Sequence, residues 1–186
     1  EDGFNTWDDT ADKNDQRKPP SDELLKSLGE PYQNWKVETG PFGIQILHYD
    51  FIEGKCWPTS KQTWIQVLEQ VKRMHSLDYV HGDLLPRNMI FSEKAGNVID
   101  FDLTRKQGER YVSRYNYTDF TAFRHLDAQA GKVMKKEHDV WSLVKMTEMF
   151  FDKDFAGTVP TTVNDLIQAL TDPQTCVLRA VDTSCV

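Results

Sequence analysis

Asp83 and Asn88 stand five residues apart in His81-Gly82-Asp83-Leu84-Leu85-Pro86-Arg87-Asn88-Met89-Ile90-Phe91, and Asp100 follows Asp83 by 17 residues in Val98-Ile99-Asp100-Phe101-Asp102. Moving a phosphoryl group from a nucleotide needs a carboxylate to orient or deprotonate an acceptor hydroxyl. It also needs oxygen ligands for a Mg²⁺ that bridges the phosphates. Asp83 suits the first role, and Asn88 with Asp100 the second. Each of the three, taken alone, reads as an ordinary turn or cap residue. Their common register gives the set its weight.

The elements that must position them follow from pattern. Met89-Ile90-Phe91, a turn at Glu93-Lys94-Ala95-Gly96 and Asn97-Val98-Ile99-Asp100-Phe101 predict a hairpin that sets the two loops side by side. Upstream, Trp64, Ile65, Val67, Leu68, Val71, Met74 and His75 recur at helical spacing, predicting a helix over 60–76. Ser21 is a fair N-cap for a short helix over 22–28, ended by Gly29 and Pro31. Strands are predicted at 35–38 and 43–51, with a Gly40-Pro41 turn between them. Residues 139–151 are apolar on most sides and read as a buried helix, and 163–170 as a further amphipathic one. Residues 103–136 have no period, as expected of a functional or flexible stretch. Trp35, Trp64 and Trp141 are expected in the core.

Composition bounds the partners. The chain has 186 residues and a net charge of −7, but its first 30 residues hold nine acids against four bases, and the remaining 156 hold 20 against 18. The acidity sits in a head, and residues 1–22 read as an acidic flexible linker. No Lys/Arg-rich face is evident, so DNA and RNA are not expected partners. Mean hydropathy is −0.60, and no apolar run approaches the ~18 residues of a membrane span, so no membrane partner is expected either. The polar, acidic N-terminus is unlike a signal peptide. Cys56, Cys176 and Cys185 form no disulfide framework or metal-ligand spacing, which fits an intracellular setting.

In order and spacing these segments resemble the protein-kinase superfamily. Tyr49-Asp50-Phe51-Ile52-Glu53-Gly54 is similar to the hinge, residues 81–88 to the catalytic loop, Asp100-Phe101-Asp102 to the metal-binding D-F-G, and His138-Asp139-Val140-Trp141-Ser142-Leu143 to the start of the large lobe's central helix. The resemblance, over about 23–150, implies an α+β, protein-kinase-like fold with a mainly helical large lobe at 54–186 and a remnant small lobe and hinge at 23–53. It implies ATP and Mg²⁺ as cofactors and a protein substrate or partner. In that frame Asp83 is the base, Arg87 assists the phosphate, and Asn88 and Asp100 hold the metal. Tyr49 and Phe51 lie against the nucleotide, and Asp139 anchors the catalytic-loop backbone. His81 is expected to brace that loop from the core rather than shuttle protons. A narrower likeness joins Ile99-Asp100-Phe101-Asp102, Arg110-Tyr111, Arg124-His125, Asp127-Ala128 and Lys136-Glu137-His138-Asp139 to kinase-like domains of Crinkler-type effectors. It implies an effector in host cytoplasm or nucleus.

Departures open alternatives. Gly82 stands where protein kinases carry the arginine that pairs with a phosphorylated activation loop. Leu85 replaces a lysine of Ser/Thr kinases, and Asp102 replaces the glycine of D-F-G. No GxGxxG occurs, and Glu23, where the family's helix glutamate belongs, has no lysine partner in sight. Only 47 residues follow Asp139, so the large lobe reads as shortened at its end. Another chain or an upstream segment is expected to complete the small lobe. A non-catalytic pseudokinase scaffold is one alternative, and a small-molecule phosphotransferase, suggested by His81-Gly82-Asp83, is another. Arg105, Lys106, Arg110 and Arg114 read as a solvated basic face, with docking of an acidic or phosphorylated partner as the sharper reading.

Overall fold

Ser60 starts the helix around which the other elements are arranged. Its hydroxyl accepts the Thr63 N–H at 3.2 Å, while the Thr63 hydroxyl accepts the Ser60 N–H at 3.2 Å. This reciprocal cap satisfies donors that a helix start otherwise leaves bare. The helix, α2 (Lys61–Ser76), buries Trp64, Val67, Leu68, Val71 and Met74 on one face. The computed structural model describes residues 20–29, 31–41, 45–112, 122–151, 155 and 158–171. The expected linker lies outside them up to residue 19.

α1 (Asp22–Leu28) is capped by the Ser21 hydroxyl as expected and sends Leu24, Leu25 and Leu28 into the core shared with α2. β1 (Lys36–Thr39) pairs antiparallel with β2 (Gln45–His48), from Lys36 opposite His48 to Thr39 opposite Gln45. β3 (Tyr79–Val80) follows α2. Then come β4 (Met89–Phe91) and β5 (Gly96–Val98), the expected hairpin, with Met89 opposite Val98. β5 lies against α2. β6 (Arg105–Lys106) returns to pair with β3.

α3 (Lys136–Phe150) begins a turn earlier than its apolar run suggests, placing His138 and Asp139 inside the helix. It meets α2 through aromatic edges: Phe150 lies edge-on to Trp64 at 5.0 Å and to Trp57 at 4.8 Å. The Trp64 indole N–H donates to the Thr147 hydroxyl at 3.0 Å, so the polar edge of this buried ring is satisfied. α4 (Val163–Thr171) covers α2 with Val163, Leu166 and Leu170.

Two expectations are corrected and a third is narrowed. Trp141 is not core: it is 36% exposed, with the edge of His125 against it and the Lys145 ammonium 5.1 Å above its ring. All-round hydrophobicity of α3 hid which face looks outward. The aperiodic stretch, expected to be functional or flexible, is partly ordered where described: Leu103, Tyr111, Val112, Ala128 and Met134 join Val80 in a second small core. Arg105 is buried and donates to the Asp102 and Thr104 carbonyls at 3.1 and 2.8 Å. Lys106 donates to the Leu77 carbonyl at 2.7 Å and Arg110 to that of Gly131 at 2.7 Å. This basic set is distributed over main-chain acceptors rather than gathered on one face. Arg114 lies outside the described residues.

Candidate active site

Asp139 fixes the loop that carries the candidate groups. Its Oδ2 accepts the His81 N–H at 2.8 Å, its Oδ1 accepts the Gly82 N–H at 3.0 Å, and His75 Nε2 lies 3.0 Å from Oδ2. Burial alone would raise this carboxyl. The His75 hydrogen bond, the charges of His75 and His81 and the Gly82 N–H outweigh it and hold Asp139 below the ordinary carboxylate value. The anchoring role expected of Asp139 is met by these contacts.

His81 is fully buried. Its Nδ1 accepts the Asp83 N–H at 3.2 Å, which places the proton on Nε2, 3.1 Å from the Ile99 carbonyl. One ring thereby ties the Asp83 loop to the strand end that leads into Asp100. Gly82 between them has φ +78°. A Cβ there would sit 2.5 Å from Met134 Cε and 3.2 Å from Tyr111 Cε1. A side chain at this position, such as the arginine usual in kinases, would strain the backbone and have to displace the end of Met134.

Asp83 and Asn88 are brought together. The 3₁₀ turn Pro86–Asn88 swings Asn88 back, and its Nδ2 donates to the Asp83 carbonyl at 2.8 Å and to Asp83 Oδ2 at 2.9 Å. With both amide hydrogens committed, Asn88 Oδ1 is the atom left to meet a cation. The Ile99 N–H donates to the Asn88 carbonyl at 2.9 Å, continuing the hairpin as far as the residue before Asp100. The strand expected over 97–101 ends at Val98, because Asp100 turns to φ +63°. Asp tolerates that region better than most residues, and such conformations cluster where geometry serves function. Asp100 and Asp102 are exposed.

Arg87 places a guanidinium nitrogen 3.7 Å from Asp83 Oδ2 and remains largely in solvent. Tyr49 packs on Tyr32 at 5.4 Å. Burial, then the carboxylates of Asp100 and Asp102, push the Tyr49 hydroxyl above its ordinary value, so this ring faces both acids. Phe51 is 91% exposed and stands out from this cluster. Glu23 is an exposed residue of α1.

Sequence reasoning passed over one residue. Arg124, in the aperiodic segment, is buried, and its Nη2 meets Asp83 Oδ1 while Nη1 lies 3.4 Å from the Gly82 carbonyl. Arg124-His125 figures only in the effector likeness, which gives Arg124 no role at Asp83.

The donors fit a hard cation: an amide oxygen and a carboxylate, with a second carboxylate nearby, are the ligands magnesium takes. The structure is similar to that of the Cydia pomonella granulovirus kinase PK-1, with a TM-score of 0.51 and 17% identity, covering 79% of this chain and 70% of that one. The fold is protein-kinase-like. Residues 56–146 of this kinase-like chain match the lipopolysaccharide kinase (Kdo/WaaP) family. The mouse serine/threonine-protein kinase Kist is 34% identical over 104 residues, 50% of this chain and 25% of Kist. The serine/threonine-protein kinase mph1 of Schizosaccharomyces pombe is 29% identical over 93 residues, 43% of this chain and 14% of mph1. The match thus spans a quarter or less of these two relatives.

Proposed function

We propose that this chain transfers the γ-phosphoryl group of ATP to a protein hydroxyl, with Mg²⁺ held by Asn88 and Asp100. The observation that carries the reading is the double commitment of Asn88 Nδ2 to Asp83, which aligns the candidate base and a metal-ligand oxygen on one rigid turn. When bound, Mg²⁺ would neutralise charge on the phosphates. Asp83 carries a carboxylate beside the Asn88 amide, the type of group that acts on an acceptor hydroxyl. It can therefore orient an acceptor O–H and take its proton. Arg87 can swing its partly solvated guanidinium toward the transferred group. Tyr49 and Phe51 would flank the nucleotide. The setting is intracellular, and an additional segment or chain would complete the nucleotide cleft.

A second reading, a non-catalytic scaffold, is favoured by the buried Arg124 guanidinium on Asp83, which holds the candidate base in an ion pair. The Kdo/WaaP match supports a third, in which the acceptor is a small molecule rather than a protein. One experiment separates them. Labelled MgATP is incubated with generic protein acceptors and with hydroxylated small molecules, and Tm is followed with and without MgATP. Ligand at ~100-fold its Kd stabilises a protein by about 2.7 kcal/mol, so binding is readily seen. Label in protein that disappears with Asp100→Asn supports the proposal. No Tm shift and no transfer would favour the scaffold, and label only in small molecules would favour the third reading.

A further inference from the structure

His138, at the start of α3, is 3% exposed, yet only one of its ring nitrogens is satisfied. Nδ1 lies 3.0 Å from the Tyr111 hydroxyl, while Nε2 is buried with no hydrogen-bond partner among the described residues. Buried polar atoms are nearly always paired, so an orphan of this kind needs a reason. The ring is held between two others, Tyr111 at 5.7 Å and His125 at 4.8 Å, both nearly parallel to it. Asp127 completes the group: its Oδ2 is 4.0 Å from His125 Nδ1, and one donor atom from each of His125, Asp127 and His138 lies within 4.8 Å of the others.

We propose that His125, Asp127 and His138 form a binding site for a zinc-class divalent metal ion. Two imidazole nitrogens and one carboxylate oxygen are borderline ligands, suited to zinc and its neighbours rather than to Mg²⁺ or Ca²⁺. This separates the site from the all-oxygen pair Asn88 and Asp100. The hydrogen bonds are compatible with two open lone pairs. His125 Nδ1 accepts the Asp127 N–H at 3.1 Å, so it presents a lone pair, and the exposed Asp127 N–H turns to water once an ion takes that nitrogen. For His138, an Nδ1–H donated to the Tyr111 oxygen leaves the Nε2 lone pair open, the hydrogen-bonded support that metal-ligating histidines generally have.

A tetrahedral ion with bonds of ~2.0–2.1 Å brings its ligand atoms to about 3.4 Å from one another, so binding draws the three inward. His125 and Asp127 sit on a partly exposed turn and make that movement, His125 turning out of its parallel stack on His138, while His138 stays fixed against Tyr111. Water fills the fourth position. The turn that moves also carries Arg124, so the ion clips to α3 the segment that reaches Asp83.

The test uses the chelator-treated full chain near neutral pH, titrated with Zn²⁺ by calorimetry and with Co²⁺ by visible absorption. One Zn²⁺ per chain, the intense bands of four-coordinate Co²⁺ and a rise in Tm with Zn²⁺ but not Mg²⁺ are expected. His125→Ala and Asp127→Asn should each weaken Zn²⁺ binding at least about tenfold, whereas Asp100→Asn should leave it unchanged. Both substituted residues are at the surface, so the variants fold where His138→Ala need not. Absence of stoichiometric Zn²⁺ binding to the parent chain, or its retention in His125→Ala, would overturn the proposal.

Discussion

Arg124 and Asp83, 41 residues apart in sequence, meet as an ion pair whose side chains are only 6% and 3% exposed. Breaking such a pair from one side leaves a buried charge uncompensated, which costs roughly 3–5 kcal/mol. Arg124→Met should lose stability on that scale in urea unfolding. Asp83→Asn combined with Arg124→Met should recover part of the loss, because no charge is then stranded. A loss below about 1 kcal/mol for the single variant would mean that the pair does not stay closed in solution.

Gly82 predicts a contrast between two glycines. Gly82 and Gly131 both have positive φ, +78° and +73°, but a Cβ meets neighbours only at Gly82. Gly131→Ala should cost about 1–2 kcal/mol from the backbone alone. Gly82→Ala should cost more, by whatever shift of Met134 and Tyr111 is required, and Gly82→Arg more than Gly82→Ala. Equal denaturation midpoints for the two alanine variants would contradict the packing described around the loop.

Asp139 predicts the shape of the acid limb. Its folded carboxyl lies below the ordinary 3.8. A depressed folded value means that the unfolded chain binds the proton more readily. The stabilisation is therefore complete above the unfolded value and is lost as pH falls through the lower folded one. Asp139→Asn should be less stable than the parent at neutral pH and should show a flatter decline in acid. Parallel stability–pH curves for the two proteins would remove Asp139 from that role.

Asp100 allows activity to be separated from folding. Asn also tolerates the left-handed region, so Asp100→Asn should change stability by less than about 0.5 kcal/mol while abolishing phosphoryl transfer. Asp100→Ala should abolish transfer and also cost about 1 kcal/mol. Transfer that survives Asp100→Asn would exclude this residue as a metal ligand.

The amphipathic helices and the hairpin were legible because burial imposes a period on the residues. Val67, Leu68, Val71 and Met74 can share a face only on a helix, and Ser60 with Thr63 marks its start. The contact of Asp83 with Asn88 was legible because a single short turn separates them, so sequence distance fixes spatial distance. Arg124 was not, since its partner is remote and nothing periodic surrounds it. Trp141 misled because amino-acid type says that a ring prefers burial but not which face of an apolar helix is covered. Arg105 misled for the opposite reason: its charge suggests solvent, whereas two carbonyls on the preceding turn accept its guanidinium in the interior.

Phe101 has a consequence for motion. Its ring is wedged edge-on to Tyr32 at 5.4 Å and tilted against His81 at 5.6 Å. Swinging the Asp100–Asp102 turn outward would empty a phenyl-sized hole, and emptying such holes costs ~3–5 kcal/mol. A flipped state would then be visited less than about one time in a hundred. The turn behaves as a fixed bracket rather than a latch, and relaxation-dispersion NMR on a fluorinated Phe101 should register no millisecond exchange.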